Sequence, residues 1–210
     1  KLKLRLIIKI IKESKNMKIV KQIVPENKYG VKCPYTMKPT RIVVHNTAND
    51  ASARNEIAYM TRNNYETSFH YAVDDKEVVI GIPFNRNAWH AGDGNGNGNR
   101  KSIGIEICYS KSGGDRFMQA EKNAVELIAS LLKKYNWGVE RVTKHQDYNG
   151  KYCPHRTLDM GWDRFIKMIE AKLNNKLYRV QVGAFQNRAN ADKLCNELKA
   201  KGYSAFVKTE

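Results

Sequence analysis

Hydrophobic positions along the chain follow two periods, one typical of β-strands and the other typical of α-helices. Strands are predicted for four segments with β-branched or alternating apolar residues: 41–45, 68–74, 77–82 and 102–107. Helices are predicted for three segments with apolar residues at helical spacing: 51–65, 116–136 and 158–174. Strands mixed with helices indicate an α/β fold, and Asp74-Asp75-Lys76 predicts a hairpin turn.

The pattern changes character after Asn174-Asn175-Lys176, a short polar break. Beyond this break, the spacing predicts a strand at 177–185, a helix at 188–201 and a second strand at 202–207. We therefore expect three regions: a basic N-terminal extension (1–16), a main domain (17–174) and a small βαβ appendage (177–210).

Three candidate metal ligands stand in distinctive contexts. His45 ends the apolar strand 41–45, which would deliver its side chain into a cleft. His145 and Cys153 lie on either side of Asn149-Gly150, whose turn lets this segment fold back on itself. Imidazole and thiolate are ligands that zinc prefers, and three of them leave a fourth position open for water. An open position of this kind is what metal-assisted hydrolysis needs.

Glu106 is a carboxylate on a strand that we expect to be central. The alternation of Ser102–Ile107 places three isoleucines on one face of the strand and Glu106 on the other. A water bound to the neighbouring metal would explain a carboxylate at this position. Pairing with a basic neighbour is the alternative.

Five motifs in this order identify a resemblance: VVHNTA around His45, SFHYAVDD at 68–75, WHAG at 89–92, SIGIEI at 102–107 and KHQDYNGKYCPH at 144–155. The chain resembles the zinc-dependent N-acetylmuramoyl-L-alanine amidases over residues 17–174. That family includes phage endolysins and bacterial autolysins, and it shares its fold with peptidoglycan-recognition proteins. The resemblance implies a mixed central β-sheet flanked by helices.

The resemblance also implies roles for individual residues. The ligands of Zn2+ would be His45, His145 and Cys153. Glu106 would be the catalytic carboxylate, and Lys151 matches a catalytic lysine of phage-lysozyme-type members. Those members carry a tyrosine where this chain has Phe69, so the acid–base role falls to Glu106. Substrate-binding roles are implied for Asn46, Thr47, Trp89 and His90.

The reaction implied is hydrolysis of the amide between N-acetylmuramic acid and the L-alanine of the stem peptide in bacterial peptidoglycan. The main alternative is a recognition module of the same fold that binds peptidoglycan without cleaving it. Two local alternatives concern metals: His155 could replace Cys153 as a ligand, and the loop 93–99 could bind calcium. We favour Cys153, and we interpret the loop as a flexible rim, because position twelve of a calcium loop would be Gly104.

The C-terminal pattern YRVQVGAFQNRANADKLCNELKAKGY resembles the SPOR domain, which binds glycan strands stripped of stem peptides. Candidate wall-binding residues are Tyr178, Gln181 and Phe185. The segment has about half the length of that domain, and a lone half buries its sheet face poorly. Four interpretations stay open: it dimerises, packs on the catalytic domain, is a truncated remnant, or is a capping appendage without a ligand.

The net charge of +16 favours a polyanionic partner. We find no basic helix face, zinc finger or RNP-like motif, so we expect the bacterial wall rather than nucleic acid. A generally basic proteome is the alternative. Four unpaired cysteines, one of them assigned to zinc, argue against a disulfide framework and favour synthesis in the cytoplasm: Cys33, Cys108, Cys153 and Cys195.

The sequence contains no apolar run long enough for a membrane span, so we expect no stable membrane insertion. Residues 1–16 are basic and apolar but lack a cleavage site, which makes them a poor signal peptide. They are either an extension upstream of the true start at Met17 or a membrane-surface helix. From the resemblance, we expect the protein to reach the wall through a phage holin or on lysis.

Overall fold

A computed structural model of the chain describes residues 18–174 and 181–208. The chain divides into two compact units, Lys1–Asn175 and Lys176–Glu210, which are treated separately below. The N-terminal extension at 1–16 and the candidate residue Tyr178 lie outside the described residues.

The first unit contains a six-stranded mixed sheet. Its strands are β1 (Lys18–Lys21), β2 (Arg41–Asn46), β3 (Tyr71–Val73), β4 (Glu77–Ile80), β5 (Ser102–Ile107) and β6 (Val142–Lys144). They are arranged in the order β1-β4-β3-β5-β2-β6, and all neighbouring pairs are parallel except the antiparallel hairpin β3–β4. The sequence prediction of a mixed sheet with this hairpin is confirmed.

The α-helices in the described residues are α1 (Tyr29–Lys32), α2 (Ala53–Arg62), α3 (Asn97–Lys101), α4 (Gly114–Tyr135), α5 (Gln146–Asn149), α6 (His155–Asp159), α7 (Trp162–Asn174) and α8 (Arg188–Ala200). Two short 3₁₀ helices span Glu26–Lys28 and Val139–Arg141. The helix predicted for about 158–174 is confirmed as α7, but it begins later than predicted, because Gly161 separates it from α6. Gly161 has a φ of 100°, which residues with a side chain rarely adopt.

The hydrophobic core covers one face of the neighbouring strands β2 and β5, and His45 and Glu106 lie on the other face. Ile42 and Val44 of β2 and Ile103 and Ile105 of β5 are fully buried. Helix α4 packs against this sheet with an apolar face, as its helical spacing predicts. The core thereby fixes the adjacent carboxyl ends of β2 and β5, where the candidate site lies.

A buried ion pair joins α4 to α7. Glu121 has no exposed side-chain surface, and both of its carboxylate oxygens accept hydrogen bonds from Nη2 of Arg164, at 2.9 and 2.7 Å. Removing one partner of such a pair leaves an uncompensated buried charge, which costs about 3–5 kcal/mol.

We expect Arg164→Met to lower the free energy of unfolding by about 3 kcal/mol, the low end of that range, because Arg164 is one-third exposed. Urea unfolding followed by circular dichroism measures the change. Lys167→Met, an exposed position on the same helix, is the matched control. Equal unfolding midpoints for both variants would contradict the prediction.

The second unit contains the predicted helix as α8, capped by Asn187, whose Oδ1 accepts a hydrogen bond from the Ala189 N–H. The predicted second strand at 202–207 is wrong, and 181–185 of the first predicted strand are not in a strand either. Strand backbone needs a hydrogen-bonded neighbour, and these described segments have none. Their apolar side chains remain exposed: Val182, Phe185, Tyr203 and Phe206.

Candidate functional site

The three candidate metal ligands lie together at the carboxyl end of the central strands. His45 is near the end of β2, His145 follows the adjacent strand β6, and Cys153 lies between α5 and α6. Nδ1 of His45 is 3.1 Å from Nδ1 of His145 and 3.9 Å from Sγ of Cys153. All three side chains are buried.

This group of donor atoms has the dimensions of a metal site. The three ligand atoms all lie within 4.8 Å of one another. Zinc bonds of about 2.0–2.1 Å to nitrogen and about 2.3 Å to sulfur, at tetrahedral angles, separate ligand atoms by about 3.3–3.6 Å. The observed distances of 3.1 and 3.9 Å are on either side of that range, so the three side chains fit zinc.

The electrostatic surroundings keep both imidazoles neutral, which is their metal-binding form. Burial lowers the pKa of His45 well below its usual value, and neighbouring His90 and His145 lower it further. Burial also lowers the pKa of His145, with a smaller contribution from Lys151. Neither ring therefore needs to lose a proton to accept a metal ion at neutral pH.

Cys153 differs, because burial raises the pKa of its thiol to about 11 and the nearby Glu106 raises it as well. A hydrogen bond from the backbone of Asn46 and the positive charge of Lys151 act in the opposite direction. The thiol thus stays protonated at neutral pH unless a cation binds, and a coordinated thiol is deprotonated outright.

Glu106 lies on the same side of the sheet as His45, because the two residues are register partners on the parallel strands β2 and β5. Its side chain is partly exposed to the cleft, but Oε2 is buried and accepts no hydrogen bond from the described residues. Burial raises the pKa of Glu106 to about 8, Glu56 raises it further, and Lys151 lowers it. A cation beside this carboxyl would favour the ionised form.

Asn46 fixes the position of the segment that carries Cys153. Its Oδ1 accepts hydrogen bonds from the backbone N–H groups of Arg156, at 2.9 Å, and Thr157, at 3.2 Å, in the first turn of α6. Its Nδ2 donates to the His45 carbonyl at 3.2 Å. The side-chain amide therefore connects the end of β2 to α6, while contact with substrate stays a prediction for Asn46.

A cleft of about 630 Å3 surrounds the ligand group. Its lining contains the sequence-predicted residues Thr47, Trp89 and Lys151. Trp89 is held by a hydrogen bond from Nε1 to the Val31 carbonyl, at 3.1 Å. Several further residues line the cleft that no sequence pattern assigns to it: Glu56, Tyr59, Asn63, Tyr65 and Tyr152. They lie on helices and loops, and only their tertiary contacts assign them to the cleft.

Lys32 stabilises one wall of the cleft through hydrogen bonds. Its side chain is fully buried, and Nζ donates hydrogen bonds to Oδ1 of Asn63, at 2.7 Å, and to the carbonyls of Tyr65 and Thr67. Burial lowers the pKa of this ammonium group. The segment after α2 has no regular secondary structure, so this ammonium group supplies its carbonyls with hydrogen bonds that a helix or strand would otherwise provide.

The remaining histidines have separate positions. Nε2 of His155 donates a hydrogen bond to the Ser110 carbonyl, at 3.3 Å, and Cys153 rather than His155 belongs to the ligand group. His70 is a fully buried core residue: Nδ1 accepts a hydrogen bond from the Gly104 N–H and Nε2 faces the Arg86 carbonyl, both at 3.0 Å. His90 is also buried, with its Nδ1 3.0 Å from Nε2 of His45.

His70 makes the protein sensitive to acid. Burial lowers its pKa from 6.5 to about 4, and a proton on Nδ1 would face the Gly104 N–H. Because the folded pKa is the lower one, this stability is present above pH 6.5 and is lost as pH falls towards 4. Between pH 7 and pH 4.5 the loss is about 2 kcal/mol.

We expect His70→Gln to lose about 2 kcal/mol less unfolding free energy than the wild type over that pH interval. Urea unfolding at both pH values measures the difference. His155→Gln, at a partly exposed histidine, should behave as the wild type does. Equal losses of unfolding free energy in all three proteins would contradict the assignment of the acid sensitivity to His70.

The fold and site define an α/β domain with a His–His–Cys group beside the carboxyl of Glu106. A family model described as N-acetylmuramoyl-L-alanine amidase matches residues 35–156, and a SPOR domain model matches residues 165–209. The chain belongs to the N-acetylmuramoyl-L-alanine amidase family. The SPOR match begins within α7, earlier than the sequence break at 174–176.

Two curated relatives come from Bacillus subtilis (strain 168). N-acetylmuramoyl-L-alanine amidase CwlA is 63% identical over 159 residues, which cover 75% of this chain and 58% of the relative. N-acetylmuramoyl-L-alanine amidase XlyB is 60% identical over 158 residues, which cover 74% of this chain and 50% of the relative. The chain thus spans little more than half the length of these relatives.

Solved structures are similar as well. The structure of PlyL is 59% identical with a TM-score of 0.71, and the match covers 73% of this chain and 97% of that one. The solution structure of the PlyG catalytic domain is 55% identical with a TM-score of 0.72, covering 78% of this chain and all of that domain. These matches confirm the fold that the sequence predicts.

Proposed function

We propose that the chain hydrolyses the amide between N-acetylmuramic acid and the L-alanine of the stem peptide in bacterial peptidoglycan. The observation that carries this proposal is the convergence of a His–His–Cys group and the Glu106 carboxyl in one cleft. Membership of the amidase family and relatives that bear this activity in their names support it.

We assign Zn2+ to His45, His145 and Cys153, the donor set that fits its preference for nitrogen and sulfur. When bound, zinc supplies Lewis acidity towards water and towards the oxygen of the scissile carbonyl. The three side chains would hold the ion in the cleft, and the partly exposed Glu106 borders the same space.

Glu106 acts as the general base and then as the general acid. Its carboxylate takes a proton from the attacking water and delivers one to the nitrogen of the departing L-alanine. The Lys151 side chain is exposed at the cleft. Its ammonium group is close enough to lower the pKa of both Glu106 and Cys153, so its positive charge acts on the proposed reaction centre. It pairs with the negative charge that develops on the carbonyl oxygen.

Substrate contacts are assigned to the cleft lining, with Trp89 and Thr47 at its surface. In the second unit, Gln181 and Phe185 are exposed, and the SPOR match supports a role for this unit in binding glycan.

The site of action is then the cell wall, with no nucleic acid as partner. None of the described helices is long and apolar enough to cross a bilayer. Dimerisation through the second unit stays a prediction of the sequence.

The test is the release of free N-terminal L-alanine from purified peptidoglycan. Zinc-loaded protein, a chelated sample and Glu106→Gln are compared side by side. We expect new amines only with the zinc-loaded protein, and no new reducing sugar ends in any sample. Wall binding without release of amines would instead support a recognition module of the same fold.

A further inference from the structure

His90 contacts the nitrogen of His45 that faces away from the ligand group. Nδ1 of His90 is 3.0 Å from Nε2 of His45, and the two rings meet edge to face with centroids 5.0 Å apart. Both side chains are buried, at 7% and 2% exposure. We propose that His90 is a positioning residue, which holds His45 in the tautomer and orientation that present Nδ1 to zinc.

The tautomer follows from the distances. Nδ1 of His45 faces Nδ1 of His145 and Sγ of Cys153, so Nδ1 is the atom that must carry a free lone pair. A neutral imidazole has a single N–H, which then lies on Nε2 of His45. The atom positioned to accept that hydrogen is Nδ1 of His90. Partners of this kind raise the basicity of a ligand and fix its orientation.

Neighbouring residues fix the backbone of His90 and pack against its ring. Oδ1 of Asn99 accepts hydrogen bonds from the backbone N–H groups of His90 and Ala91, each at 2.8 Å. The ring lies over Gly104 of β5, where an added Cβ would be only 2.7 Å from the His90 ring. Glycine weakens a strand interior, so its presence two residues before Glu106 is explained by the close approach of this ring.

This contact also revises the sequence interpretation of His90. The resemblance places it among substrate-binding residues. His90 borders the cleft, but its side chain is only 7% exposed and its Nδ1 is 3.0 Å from Nε2 of His45. The inference rests on the proposed zinc site, and it adds a residue that acts on zinc through His45 rather than on substrate.

The test compares His90→Asn with His90→Leu in the full chain. Asparagine can place an amide oxygen near the position of the ring Nδ1, whereas leucine has a similar size and no acceptor. We expect leucine to weaken Zn2+ binding by about 10–100-fold, and asparagine to retain most of the affinity. Competition with a chromophoric chelator at constant pH measures binding without reference to activity. Wild-type affinity in His90→Leu would overturn the inference.

A second measurement, on the wild type, tests the inference even where the His90→Leu variant fails to fold. Nitrogen NMR of the metal-free wild type should show His45 with its proton on Nε2, and a proton on Nδ1 would overturn the inference. Gly104→Ala, which displaces the His90 ring, should weaken zinc binding as leucine does. Zinc-loaded wild type that binds the metal but leaves peptidoglycan intact would refute the amidase proposal alone, because the affinities would still test His90.

Discussion

Glu106→Gln is expected to lower the rate of amide hydrolysis by at least about 10²-fold, because a positioned general base typically contributes about 10²–10⁴-fold. Glutamine preserves the shape of the side chain but neither accepts the proton of the water nor returns one to the amine. Single-turnover release of L-alanine amines from purified peptidoglycan, at saturating zinc, measures the chemical step. The mutation leaves the three proposed metal ligands intact, so zinc should still bind.

The fold of this variant should not suffer. In the metal-free protein, burial raises the pKa of Glu106 to about 8, so the folded state disfavours the ionised carboxyl. Glutamine carries no charge, and the metal-free variant should therefore be at least as stable as the wild type at pH 7 to 8. Glu140→Gln, at an exposed position, is the matched control and should keep full activity. An active Glu106→Gln protein would refute the assigned base.

Much of this site could be predicted from the sequence because its residues end or follow buried strands. The apolar run before His45 and the alternation around Glu106 predict two strands, and parallel pairing brings their carboxyl ends to one edge. The resemblance then associates these two residues with His145 and Cys153. The structure places all four in one cleft.

The role of His90 could not be predicted in the same way. It lies 45 residues from His45 in the sequence, and no period or motif specifies which ring nitrogen meets which. The burial of Lys32 is a similar case, since a lysine on a short helix predicts an exposed charge. Its acceptors come from a loop more than 30 residues away.

The second unit shows a different limit of sequence patterns. Alternation of apolar and polar residues in 177–185 and 202–207 predicts strands. Alternation does not supply a neighbouring strand, and a strand without one leaves its N–H and C=O groups unpaired. The described parts of both segments accordingly have no strand, while α8 needs no neighbouring strand because its backbone hydrogen bonds lie within the helix.

Cys153→Ser is expected to weaken Zn2+ binding by more than about 100-fold, because the change removes a ligand itself, and even the loss of an outer hydrogen-bond partner costs about 10–100-fold. Serine presents a hydroxyl in place of the soft thiolate that zinc prefers. Hydrolysis at limiting zinc should fall in parallel. Cys195→Ser, the same change in the second unit, is the control and should bind zinc as the wild type does.

The pH dependence of binding separates a lost ligand from a distorted site. The thiol of Cys153 has a pKa of about 11 in the metal-free protein, so at neutral pH it must release its proton when zinc binds. Wild-type affinity should therefore rise with pH, by up to about tenfold per pH unit for each proton released. Cys153→Ser should release one proton fewer per zinc bound, measured by calorimetry in buffers of different ionisation enthalpy. Equal proton release would show that the thiolate is not a ligand.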